Sequence, residues 1–272
     1  MAGEIKFPDS PKDDQHWYPE FPDNKELHAK LLNGNFEEAR IGLPAGPKSW
    51  GHPDDLTVFW LKDDDPKHGL VIKFDTDVLE DEAKARQAQI REAVEKNAAA
   101  PSAKKKTTVS SAQQYSTIGA TYGVSLYSEK IVCKPKQAYK INFDFKGPSG
   151  GAKVWVRGWG QTKDQEGKVH DRRIWETIVN CRVKDDDWRH FEQAFHPTRR
   201  PTGRKLKVDS GTGKPLGADD GAPDYKYVDI AFLRVMLYAY WPRGQYYFDN
   251  IKIEEISDEE YERLKKNPAD LR

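Results

Sequence analysis

Alternation at period two is the feature that most restricts what this chain can fold into. Tyr139, Ile141, Phe143 and Phe145 are separated by Lys140, Asn142 and Asp144. Leu233, Val235, Leu237 and Ala239 alternate with Arg234, Met236, Tyr238 and Tyr240, and Val154 and Val156 with Trp155 and Arg157. Shorter runs occur at Thr57-Val58-Phe59-Trp60-Leu61, Leu70-Val71-Ile72-Lys73-Phe74 and Val124-Ser125-Leu126-Tyr127. Further strands are marked by Trp175, Ile178 and Val179, by Trp188, Phe191 and Phe195, and by the run from Tyr246 to Ile253. Successive side chains of a strand point to opposite faces, so each run has one face for a core and one for something else. Many such runs divided by turn residues, with no strand–helix–strand alternation, predict an all-β antiparallel sandwich.

The interruptions set the organisation. Residues 1–31 read as an extended arm, because Pro8, Pro11, Pro19 and Pro22 oppose regular structure, with Trp17, Tyr18 and Phe21 available to pin it to the domain. The sandwich is expected over residues 32–256, with an insertion at about 76–112. Within that insertion, Leu79, Ala83, Ile90 and Val94 give the apolar stripe of one amphipathic helix over 78–97. Residues 97–108, rich in Ala, Lys and Ser, read as a flexible linker. Residues 199–227 read as a long loop, and residues 257–272 as a charged tail with a helix-like run from Asp258 to Lys266.

Composition excludes several functions. The 272 residues carry 44 basic and 44 acidic side chains, so net charge draws the chain neither to nucleic acid nor to an anionic membrane. The basic cluster Arg199, Arg200, Arg204, Lys205 and Lys207 reads as a solvated loop. Mean hydropathy is −0.87, yet 8 Trp and 12 Tyr are present, which means a real core diluted by polar insertions. No window resembles a membrane span, and residues 1–22 lack the apolar centre of a signal peptide. The two cysteines, Cys133 and Cys181, make neither a disulfide framework nor a thiolate metal site. They are either bridged or two buried free thiols. The histidines show no metal-ligand spacing, and Gly211-Thr212-Gly213-Lys214 lacks the rest of a phosphate loop.

Four segments carry a resemblance, in order along the chain: Leu32-Asn33-Gly34-Asn35-Phe36-Glu37-Glu38, the turn and strand from Lys134 to Phe143, the segment from Trp188 to Phe195, and Tyr247-Phe248-Asp249-Asn250-Ile251-Lys252-Ile253. Together they resemble the CenC-like carbohydrate-binding modules, with Lys136 standing where that family usually has Gly. The resemblance implies a galactose-binding-like jelly roll, a carbohydrate ligand and an extracellular or periplasmic location. It implies Leu32–Glu38 as the first strand. It also implies one structural Ca²⁺ tying first and last strands, with Glu37 and Asp249 as side-chain ligands and the Gly34 carbonyl as a third; Asp75 and Asp77 are further oxygen donors without an assigned place. The alternatives are solvated carboxylates or a salt bridge in place of the ion.

If the valines and leucines of the paired runs turn inward, Trp155, Arg157, Arg234, Met236 and Tyr238 share the outward face, with Tyr127 joining from a third strand. Flat rings stack on the apolar faces of sugars while polar neighbours bond the hydroxyls. Trp159, Tyr240 and Trp241 are expected at the rim, and Trp50 and Trp188 in the core or at an edge. These residues predict a non-catalytic carbohydrate-binding protein. Two other functions stay open. One is an interaction module that binds a protein partner through helix 78–97, with the aromatic face covered from within. The other is a glycan-active enzyme, which needs a cleft with two facing carboxylates.

Overall fold

The structure, a computed structural model, describes residues 27–163, 169–183, 186–197 and 230–266. Most of the expected arm, the loop 199–227 and the last residues of the tail lie outside the described residues.

Among the described residues there are ten strands in two antiparallel sheets, the nine runs marked above and one two-residue strand that alternation did not mark. One sheet contains β1 (Val58–Lys62), β2 (Leu70–Asp75), β5 (Ala138–Lys146), β8 (Arg189–Phe195) and β10 (Gln245–Ile256), in the order β1-β2-β10-β5-β8. The other contains β3 (Val124–Tyr127), β4 (Ile131–Val132), β6 (Ala152–Lys163), β7 (Val169–Cys181) and β9 (Ile230–Ala239). Here the order is β3-β9-β6-β7, and β4 continues along the same edge of β9 as β3. Ile72, Phe74, Phe143, Phe145 and Phe248 from the first sheet meet Val154, Val156, Leu233, Val235 and Leu237 from the second in one core, all fully buried. Each such side chain contributes about 1.5–3 kcal/mol on leaving water. The result is a jelly-roll β-sandwich.

The insertion between β2 and β3 carries α1 (Glu80–Glu95), whose first turn bears Glu80, Asp81 and Glu82, suited to the positive end of the helix dipole. The segment expected as a flexible linker is instead tied down. Pro101 O accepts from Arg86 Nη1 at 2.7 Å, Lys106 Nζ reaches Asp75 Oδ2 at 2.7 Å, and Thr107 N donates to Glu82 Oε2 at 3.3 Å. Two short helical turns follow, Ser111–Ser116 and α2 (Ile118–Thr121). A final helix, α3 (Asp258–Lys266), occupies the charged run seen in the tail. No helix among the described residues is long and apolar enough to cross a membrane.

Leu32–Glu38 is not a strand. Asn33 and Phe36 have φ of +47° and +56°, in the left-handed region no strand uses. The Asn33 amide fixes the turn, donating to Glu38 O and Lys48 O at 2.9 Å each while Oδ1 accepts from Glu38 N at 2.9 Å. The apolar members of this segment still enter the core, with Phe36 packed on Trp50. The cysteines are two buried free thiols. Cys133 follows Val132, which faces Phe232, whereas Cys181 lies by Ala152, which faces Ala239. Seven strand residues separate those partners, roughly 24 Å, against the ~7 Å limit for a bridge. Burial pushes the Cys133 thiol up to about 12.

Candidate functional site

Register across the second sheet builds the face. β6 and β9 pair Val154 with Leu237, Trp155 with Met236, Val156 with Val235 and Arg157 with Arg234, while Tyr127 of β3 lies opposite Met236 from the other side. Val154, Val156, Val235 and Leu237 point into the sandwich. Their neighbours therefore share the outer face, where Tyr127, Trp159, Phe232 and Met236 form a second apolar cluster with Trp155 and Tyr238 packed against it.

Two arginines are embedded in this layer. The Arg157 guanidinium lies 4.8 Å from the Trp155 ring centre and donates to Tyr127 Oη. Its Nε is 3.5 Å from Glu176 Oε2. Arg234 lies 4.8 Å from the Tyr127 ring centre and donates from Nε to Ser128 O at 2.8 Å. Trp159 and Phe232 stack at 5.5 Å with planes 8° apart. Desolvated cation–ring contacts of this kind are worth about 2 kcal/mol each.

Exposure divides the residues that sequence alone placed together. Tyr127, Arg157, Trp159 and Arg234 are buried, so they form the floor of the face; the expectation of open contact residues at these four positions is corrected by their own mutual packing. Trp155, Tyr238 and Tyr240 are half-buried, and Trp241 is 39% exposed. The Trp155 indole N–H meets no acceptor. Tyr238 and Tyr240 stack at 5.5 Å, Lys153 Nζ lies 5.1 Å over Tyr240, and Tyr238 Oη donates to Tyr122 O at 3.1 Å.

Sequence reasoning missed two rings at this end. Tyr115, 72% exposed, stacks on Trp241 at 6.0 Å, and Tyr122 is 49% exposed. Both belong to the insertion, where a lone tyrosine in polar surroundings carries no periodicity. The signal available was only that each is a large ring outside any apolar stripe. α1 approaches this end through Lys84, whose Nζ lies 5.4 Å over the Tyr122 ring. Trp50 is core, and Trp188 lies on the other sheet's outer side, stacked on His68.

The three residues expected at calcium do gather at one junction. Gly34 O accepts from Ile251 N at 2.8 Å, an approach so close that a Cβ on residue 34 would lie 1.7 Å from Ile251 O. Glu37 Oε1 accepts from Leu70 N at 2.7 Å. Asp249 Oδ2 is 2.9 Å from His68 Nδ1, and burial pushes the Asp249 carboxyl up to about 7 against the opposing hydrogen bond from His68. Asp75 and Asp77 lie elsewhere, engaged by Lys106 and Arg243. Among the described residues, no three His, Cys, Asp or Glu side chains converge as metal ligands would.

No family model matches this chain, and no curated protein matches it. Solved structures are similar at low identity. The xylan-binding domain CBM22-1 from Paenibacillus barcinonensis is 11% identical with TM-score 0.35, over 85% of this chain and 97% of that one. The family 11 carbohydrate-binding module of a cellulosomal cellulase of Clostridium thermocellum is 13% identical with TM-score 0.35, over 85% and 96%. The enzymatically active domain of bacteriophage CBA120 tailspike protein 4 is 10% identical with TM-score 0.36; the match covers 74% of this chain and 18% of the tailspike chain.

Proposed function

We propose that this chain is a non-catalytic carbohydrate-binding protein that docks an oligo- or polysaccharide on the outer face of the β3-β9-β6-β7 sheet. The observation that carries the reading is the half-open row Trp155, Tyr238 and Tyr240 above a buried arginine–aromatic floor. The floor fixes the ring positions, so little order has to be created on binding. The rings offer flat apolar surface to pyranose C–H groups. Lys153 Nζ offers a donor to hydroxyls, with Trp241, Tyr115 and Tyr122 at the rim. An extracellular or periplasmic setting accompanies this function.

The carboxylates of the face favour binding over turnover. Glu176 and Asp171 are five residues apart on β7, roughly 17 Å, whereas a glycosidase pair stands about 5–9.5 Å apart. Glu176 is near Arg157, and Asp171 is bonded to Lys130.

Affinity electrophoresis through soluble glycans, with pulldown on insoluble ones, tests the reading. At least one glycan is expected to retard the protein. Trp155→Ala and Tyr240→Ala are each expected to weaken retention by about tenfold, the effect of losing one stacked ring. Tyr247→Ala, on the opposite sheet, leaves it unchanged. Uniform lack of retention overturns the proposal.

A second reading draws on a different surface. A cleft of about 400 Å³ lies between Leu43, Trp60, Arg86, Ile90 and Pro101. A protein partner meeting α1 would seat there, and binding of that kind would survive Trp155→Ala.

A further inference from the structure

The first-to-last junction departs from the calcium arrangement that the resemblance implies. Calcium takes six to eight oxygens. At this junction the Gly34 carbonyl holds Ile251 N–H, and Glu37 Oε1 holds Leu70 N–H. Asp249 Oδ2 faces an imidazole nitrogen, a donor that a hard cation accepts poorly. Asp249 Oδ1, buried without a hydrogen-bond partner, and the second oxygen of Glu37 are the carboxylate atoms left for an ion. Two such oxygens fall far short of a calcium shell of six to eight, so the residues do not fit the metal.

His68 is held firmly in its place. Its ring stacks on Trp188 with centres 3.8 Å apart and planes at 15°. Trp188 in turn donates from Nε1 to Asp63 Oδ1 at 3.3 Å, and Lys146 Nζ reaches Asp63 Oδ2 at 2.8 Å while lying 4.9 Å over the Trp188 ring. Loop 63–69 is thereby fixed to β5, β8 and β10 together. Leu70, two residues after His68, is the residue that Glu37 holds.

We infer that His68, clamped by Trp188, takes the place of a divalent cation at this junction. Its imidazole N–H gives the Asp249 carboxylate the electropositive partner that a metal cation would give. The Glu37–Leu70 bond carries the tie onward to the turn at residues 33–38. The chain therefore closes its first segment onto its last strand without a metal. This inference is independent of the carbohydrate reading.

Thermal unfolding of the full chain in millimolar calcium and in EDTA tests it, together with calorimetric titration of calcium into chelated protein. The midpoint is expected to be the same in both solutions, with no heat of binding. His68→Leu is expected to lower the midpoint by several degrees, since it leaves a buried carboxylate without its donor. His68→Gln, which keeps an N–H for Asp249, recovers most of that loss. A wild-type midpoint that rises with calcium and falls with EDTA overturns the inference, as does a His68→Leu protein as stable as the wild type. The wild-type arm decides the question even if His68→Leu does not fold.

Discussion

Lys136 has φ of +60° in the turn that leads into β5. This backbone region crowds a Cβ against its own carbonyl and costs an ordinary residue about 1–2 kcal/mol. The sequence marked the position, because glycine usually stands there in the modules that this segment resembles. Lys136→Gly removes the strain but adds about 0.4–1 kcal/mol of unfolded-chain entropy, so a net gain of about 0.5–1 kcal/mol is expected. A urea unfolding curve reads it directly. Asn33 and Asn250 also have positive φ, but asparagine tolerates this conformation, and substitution by glycine there offers less. Other residue-scale outcomes were hidden from the sequence. Nothing in the alternation of β6 and β9 distinguishes Trp159, which is buried, from Trp155, which is half-open. That difference arises from neighbours on other strands.

At the scale of elements, α1 shows how a stripe can be read correctly and incompletely. Leu79, Ala83, Ile90 and Val94 announced the helix, and Ala83 and Ile90 are buried as the stripe requires. Arg86 and Gln87 are buried too, which polar residues in a surface helix rarely are. Arg86 is accommodated because its guanidinium donates to Asp54 O at 2.5 Å, to Pro101 O at 2.7 Å and to Gln89 Oε1 at 3.1 Å. Asp54 is itself fixed by four donors, from Leu56 N, Thr57 N, Val58 N and Thr57 Oγ1, although burial pushes its carboxyl up. Arg86 thus fastens helix, preceding loop and following segment at one point. Arg86→Ala strands two carbonyls and opens a void, and is expected to destabilise by about 3 kcal/mol in a denaturant titration. Arg86→Lys, which reaches fewer acceptors, is expected to fall between the two.

At the scale of the molecule, stability is tied to pH through His52. It is buried beside Arg40, and burial with that neighbouring charge pulls its pKa from 6.5 down to about 3. The unfolded chain therefore binds a proton below about pH 6.5 that the folded chain refuses until about pH 3. This contribution to stability is complete above 6.5 and is lost as pH falls toward 3. His52→Gln removes the titration, so its urea midpoint is expected to decline less than that of the wild type as pH falls from 6.5. An equal decline in both proteins would place the acid sensitivity elsewhere. No sequence feature marked His52 as buried, because a lone histidine between glycine and proline has no periodicity to orient it.

Alternation by itself determined the strands, their inward faces and hence the sandwich, because period two is a local property that every strand residue obeys wherever its partner lies. The helix stripe and the charged run of α3 were local in the same way. Tertiary structure alone decided which outward rings remain open, which arginines sink into the floor, and that His68 meets Asp249 from 181 residues away. It also turned Leu32–Glu38 into a left-handed turn where a first strand was expected, through contacts of Asn33 with Glu38 and Lys48. The reason is the same throughout: burial and pairing depend on strands that are distant in sequence, and their register is set by the packing of the whole core rather than by any one segment.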